Sequence, residues 1–174
     1  MAHPKREKYA LELQKELGCK IIWDKENNCL ETRIRCLEDH TGDYGITLQD
    51  DCLTEHFKDK AERLIDGKYD IYNFYYSEWA ATKPCKKVEG GVILDRLKNE
   101  LCFAIRKELI PGLIKYCKAK YEQGHTKDWV MQYHLGEAYY PLPSIVDHRG
   151  LDSLLVKNAK KTRRYNENGL RGGK

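Results

Sequence analysis

The segment Leu48-Gln49-Asp50-Asp51 carries the sharpest chemistry in this sequence. Adjacent carboxylates at the end of an apolar run are costly to hold unless a cation neutralises them. A divalent ion suits, because hard ions such as Mg²⁺ take carboxylate oxygens together with the phosphate oxygens of a bound nucleotide. The alternative is a pair that caps the next helix or faces solvent. Further along, PSIVDHRG (143–150) sets His148 between Asp147 and Arg149, neighbours able to orient an imidazole as metal-bound histidines require; a structural histidine satisfied by the same neighbours is the other reading. In GHTKDW (124–129), Thr126 can cap a helix and Asp128 falls in its first turn, where an acid also serves simply to stabilise the helix dipole. His3-Pro4-Lys5-Arg6 places basic groups at a helix start, a ready anion site.

These groups need elements to position them. Pro4 and the apolar residues Tyr9, Leu11, Leu13 and Leu17 ahead of Gly18 predict a helix over 4–17. The β-rich run 19–24 predicts a strand ending in Asp24, with a polar turn after it. Leu30, Ile34 and Leu37 share a helical face over 30–39, and 44–48 reads as a strand running straight into Asp50 and Asp51. A helix at about 55–66 leads to an aromatic strand over 70–76. After a turn-rich stretch, 77–91, come a strand at 101–105, an apolar helix at 107–121 and a short apolar strand entering Asp147-His148-Arg149. Alternating strands and helices predict a single α/β domain whose sheet is mostly parallel and flanked by helices. Ligands of such sheets lie beyond the carboxyl ends of the strands, where Asp24, Asp50 and Asp51 fall.

Composition bounds the function. The 174 residues are 41% hydrophobic and 33% charged, with a mean hydropathy of -0.74, and no apolar run approaches the ~18 residues of a membrane span. The amino-terminal residues lack the apolar core of a signal peptide, which places the protein in the cytoplasm. Seven cysteines without a C-x-x-C pair suggest neither a disulfide framework nor a zinc site. Charge is unevenly spread: 156–174 has a net +6 and 1–155 a net -2. The division predicts a domain over 1–155 and a basic tail over 156–174 that either meets a polyanion or only aids solubility.

In this order, HPKR, IIWD, ETRIRC, LQDD, GHTKDW and PSIVDHRGLDSLL resemble the small GT-A-fold glycosyltransferases encoded by bacteriophages, the group associated with adding sugars to modified pyrimidines in phage DNA. The resemblance covers about residues 2–155. It departs at Gln49, where an acid is usual, at Leu30, where a tryptophan is usual, and in a first strand reduced to Met1 and Ala2. It implies a GT-A-like, Rossmann-like sheet and transfer of a sugar from a nucleotide-diphosphate donor, a UDP-sugar such as UDP-glucose, to a hydroxymethyl pyrimidine in the DNA of an infected bacterial cell. Asp51 and His148 are then the ligands of Mn²⁺ or Mg²⁺, and Asp128 is the general base of an inverting reaction. His3, Pro4, Arg6, Asp24, Thr32, Arg33, Arg35 and Asp50 are implied to line the donor site. The tail residues Lys157, Lys160, Lys161, Arg163 and Arg164 would neutralise DNA phosphates. A GT-A enzyme with a glycan, lipid or protein acceptor ranks next. A metal-dependent nuclease would use the same clustered acids and histidine, and a non-catalytic DNA-binding module would explain the tail but not the acids.

Overall fold

His3 starts the first turn: its Nδ1 accepts the Lys5 amide at 3.1 Å. Pro4, which has no amide hydrogen to satisfy, opens a 3₁₀ turn, Pro4–Arg6, that continues into α1 (Glu7–Leu17). Gly18, at φ 66°, ends α1 in the left-handed conformation that glycine adopts without strain. Asn28 caps α2 (Cys29–Glu38) by accepting the Glu31 amide at 3.2 Å. The computed structural model describes residues 1–149. The remaining elements are β1 (Tyr44–Leu48), β2 (Cys52–Leu53), α3 (Phe57–Leu64), β3 (Ile71–Asn73), a 3₁₀ turn Ala80–Thr82, β4 (Cys85–Val88), β5 (Gly91–Leu94), β6 (Cys102–Arg106), a 3₁₀ turn Lys107–Leu109, α4 (Ile110–Glu122), a 3₁₀ segment Asp128–Tyr133, β7 (Ala138–Pro141) and β8 (Asp147–His148).

The chain forms a mixed α/β domain around one six-stranded sheet in the order β1-β6-β3-β7-β5-β4, and β2 pairs with β8 apart from it. The mostly parallel sheet expected from the sequence is not what forms: β3 and β7 are its one parallel pair among the described residues, and the other four pairs are antiparallel. The crossover through α3 does return β3 in the direction of β1. It leaves a gap one strand wide, which β6 fills antiparallel to both neighbours. The expected strand over 19–24 is likewise reduced to an isolated bridge between Trp23 and Ala2. A hairpin, β4 and β5, begins in the turn-rich stretch and runs past its end, and its Gly91 lies so close to β7 that a Cβ there would sit 2.2 Å from the Tyr140 carbonyl oxygen.

Successive strand residues face opposite sides of the sheet, and both sides are covered. Ile71, Phe103, Ile105 and Tyr140 pack with Leu30, Ile34 and Leu37 of α2 and with Leu113 and Cys117 of α4. Tyr72, Cys102, Ala104 and Tyr139 pack with Leu13 of α1 and with Phe57 and Ala61 of α3. Among the described residues, no helix is long and apolar enough to cross a membrane. All seven cysteines are free thiols. The strand directions bring the carboxyl ends of β1, β3 and β7 and the amino end of β6 to one edge of the sheet, and the chemistry-bearing residues collect there.

Candidate functional site

Two polar clusters meet at this edge. The first forms where β1 runs into a tight turn, with Cys52 N donating to the Gln49 carbonyl at 3.2 Å. The turn buries both Asp50 and Asp51. Arg6 reaches them from the turn before α1, its Nη1 standing 3.1 Å from Asp50 Oδ1 and 2.7 Å from Asp51 Oδ2. The His3 amide donates to Asp50 Oδ2 at 2.7 Å. Pairing of β2 with β8 sets Cys52 opposite His148 and so delivers the imidazole: its Nε2 is 3.2 Å from Asp51 Oδ2.

The adjacent carboxyls are not equivalent. Burial raises the Asp50 pKa, and the hydrogen bonds from the His3 amide and Arg6 do not fully offset it. Burial also works against the Asp51 carboxylate, but His148 and Arg6 outweigh it and hold the group below the ordinary carboxylate range. Asp51 is therefore the fixed negative charge of the pair. Its second oxygen, Oδ1, is buried and makes no hydrogen bond among the described residues, which leaves an acceptor facing no donor. No group of three or more His, Cys, Asp or Glu side chains suited to a metal occurs among the described residues. Asp51 and His148, the two metal donors that the resemblance implies, here contact each other, with Nε2 3.2 Å from Oδ2.

The second cluster centres on Arg33, whose side chain is 0% exposed. Its Nη2 donates to Asp128 Oδ2 at 3.0 Å and to the Glu100 carbonyl at 2.8 Å, its Nη1 donates to Thr47 Oγ1, and the guanidinium lies 5.3 Å from the centre of the Phe103 ring. Glu100 stands beside this pair. Burial, reinforced by the negative charge of Asp128, pushes its carboxyl up to about 7, and its Oε1 is buried without a hydrogen bond. The loop carrying Glu100 is tied down from beneath. Asn73 Nδ2 donates to the carbonyls of Lys98 and Asn99 at 2.6 and 2.8 Å, and the Tyr140 hydroxyl accepts the Lys98 amide at 2.5 Å. Gln49 joins the two clusters, its amide donating to the Leu101 carbonyl at 2.9 Å and its Nε2 to the Glu100 carbonyl at 3.4 Å.

Of the residues singled out from sequence, the fold brings together His3, Arg6, Asp50, Asp51 and His148, and separately Arg33 and Asp128. Pro4 is exposed in the turn beside His3. Asp24 is buried, accepts the Asn28 amide at 2.7 Å and so supports the start of α2. Its own amide donates to the Ala2 carbonyl, also at 2.7 Å, which ties it to the segment leading into His3. Thr32 is buried within α2, while Arg35 on its exposed side hydrogen-bonds the Trp23 carbonyl. Arg33, implied to meet the donor, spends its guanidinium inside the protein on Asp128, Glu100 and Thr47. Lys157, Lys160, Lys161, Arg163 and Arg164 lie outside the described residues. Glu100 and Asn73 escaped the sequence reading. The available signal was a charged residue just ahead of an apolar strand and an amide inside an aromatic one.

No family model matches this chain, and neither does any curated protein or solved structure.

Proposed function

We propose that this chain is a GT-A-like glycosyltransferase that moves a sugar from a nucleotide diphosphate, a UDP-sugar, to a hydroxymethyl pyrimidine of phage DNA in an infected bacterial cell. The observation that carries the reading is the Asp51 carboxylate, held ionised at the end of β1 between Arg6 and His148 with one buried oxygen unpartnered.

In this reading Asp51 and His148 would hold Mg²⁺ or Mn²⁺, which supplies charge stabilisation for a departing diphosphate. Arg6 contributes a fixed positive charge at the same place. The acceptor hydroxyl oxygen bonds to the anomeric carbon as the bond from that carbon to the diphosphate oxygen breaks, and the hydroxyl proton passes to Asp128. Arg33, hydrogen-bonded to Asp128 Oδ2, fixes where that carboxylate points.

The test pairs binding with product analysis. Uridine diphosphate should raise the melting temperature only with Mn²⁺ or Mg²⁺ present, and Asp51→Ala should abolish the rise. Incubating hydroxymethylated DNA with a panel of nucleotide sugars should yield nucleosides heavier by one sugar, with the DNA intact. Strand cleavage would favour a nuclease. Equal stabilisation after chelation would remove the metal.

A further inference from the structure

The segment that carries Asp128 and the segment ahead of β4 expose large aromatic side chains. Trp129, next in sequence to Asp128, is 43% exposed, Tyr133 is 59% exposed and Trp79 is 45% exposed. Their segments are rigidly backed: Ala80, Leu97, Val130 and Met131 beneath them belong to one buried cluster. The rings do not stand alone. Trp129 and Tyr133 meet edge to face with centroids 5.5 Å apart, Arg96 lies 5.9 Å from the Tyr133 ring centre while also pairing with Asp95 at 3.2 Å, and Lys83 Nζ lies 4.5 Å from the ring centre of Trp79. Lys98, two residues before Glu100, feels the charges of both Arg96 and Lys83, which puts the two ring and cation pairs in one electrostatic neighbourhood.

We propose that Trp129 and Tyr133 with Arg96, and Trp79 with Lys83, form a stacking surface for an unpaired nucleobase and its flanking phosphates. A glycan acceptor would also stack on an exposed ring, but neutral sugars give no reason to set a cation against each aromatic group. A single nucleic-acid strand does, because each base offers a flat face and each linkage a negative charge. In the transferase reading, a base held beside Trp129 is the acceptor whose hydroxyl is delivered to Asp128, the preceding residue in the chain. This last step rests on the transferase reading; the stacking surface does not. The body of the protein, as well as its basic tail, then grips the acceptor.

The experiment titrates the full chain into a labelled single-stranded oligodeoxynucleotide containing 5-hydroxymethylcytosine and follows anisotropy over a range of salt. Trp129→Ala and Tyr133→Ala should each weaken binding by about 5- to 150-fold, the span expected for loss of one base stack, while Trp129→Phe keeps most of the affinity. Lys83→Gln should reduce the slope of log affinity against log salt by roughly 0.7. These side chains are exposed, so melting temperatures should hold, and uridine diphosphate binding should be unchanged. Undiminished DNA affinity in both alanine variants overturns the proposal, as does Trp129→Ala impairing transfer to a glycan but not binding to DNA. If uridine diphosphate never binds yet the alanine variants lose DNA, the stacking surface stands and the transferase reading falls. If it binds and the variants keep DNA, the reverse holds.

Discussion

The His148 imidazole stands 3.2 Å from an Asp51 carboxylate that Arg6 already holds at 2.7 Å. Three remote parts of the chain therefore converge on one oxygen, Asp51 Oδ2. The turn before α1 supplies a permanent cation, the end of β1 supplies the anion, and the small β2–β8 ladder supplies the imidazole. An ion pair this well buried adds little net stability, because desolvating both partners offsets most of their attraction. Its structural effect is to fix geometry, and Asp51 Oδ1 is left as the buried acceptor without a partner.

Removing Arg6 leaves two neighbouring buried carboxyls without their shared cation. Arg6→Gln should lower folding stability by about 3 kcal/mol or more in urea denaturation. Millimolar Mn²⁺ should restore part of the loss in this variant and none of it in the double variant Arg6→Gln, Asp51→Ala, since an ion bound at Asp51 supplies positive charge that the guanidinium no longer gives. Equal behaviour of the two variants toward Mn²⁺ would mean that the carboxylates do not take the ion.

Asp128→Asn should act at two places. Arg33 is wholly buried and loses its ionised partner, so stability should fall by on the order of 3 kcal/mol. The Glu100 carboxyl should also titrate lower than in the parent protein, because the Asp128 charge, second to burial, is what raises it. Carbon-detected carboxyl titration reads the shift directly. Turnover, measured where the variant remains folded, should fall on the order of a hundredfold if Asp128 takes the acceptor proton. A wild-type rate would reduce Asp128 to the counter-ion of Arg33.

The local patterns that announce an element by itself were readable in the sequence. Tyr44–Leu48 alternates and is a strand, and Leu30, Ile34 and Leu37 recur at helical spacing and bury one face of α2. Elements defined by distant partners were not readable. Cys52–Leu53 and Asp147–His148 are two residues each and exist as strands only because they meet. Cys85–Val88 exposes three of its four residues, as an edge strand does, so no apolar alternation marks it. The run over 19–24 has strand composition but secures only the Ala2–Trp23 bridge, because composition cannot specify a neighbour. The same division holds for the site. Asp50, Asp51, Arg6 and His148 stood out by residue type. Glu100 is significant because tertiary packing buries it beside Asp128, and nothing local to residues 95–101 records that.

The Glu100 carboxyl makes stability depend on pH in an unusual direction. Its pKa rises from an ordinary 4.5 to about 7 on folding, chiefly through burial. Between those values the native state binds more proton than the unfolded state, so stability contributed by this group falls as pH rises from about 4.5 to about 7 and stays low above that. The side chain retains some exposure, which moderates the effect to on the order of 1 to 2 kcal/mol. Glu100→Gln should therefore leave stability nearly unchanged at pH 4.5 and raise it at pH 8. Parallel stability curves for the two proteins across that interval would show that Glu100 ionises normally.

Asn73 offers the most direct test of how the second cluster is built. Its side chain is fully buried and makes three hydrogen bonds to main chain: Nδ2 donates to the Lys98 and Asn99 carbonyls at 2.6 and 2.8 Å, and Oδ1 accepts the Tyr75 amide at 3.0 Å. Asn73→Ala removes all of these and leaves main-chain groups in the core without that partner, at a cost of roughly 2 to 4 kcal/mol. Asn73→Asp keeps the acceptor for Tyr75 but sets a carboxylate against two carbonyl oxygens, and should be at least as destabilising. The consequence for the site is more specific than lost stability. The loop over 95–101 places Glu100 beside Arg33 and Asp128, so under native conditions the Glu100 and Leu101 amides should exchange with solvent at least tenfold faster in Asn73→Ala, while amides in α3, on the opposite face of the sheet, change only by the global loss. A uniform acceleration across both regions would mean that the loop opens only when the whole domain unfolds and that Asn73 does not specifically position Glu100.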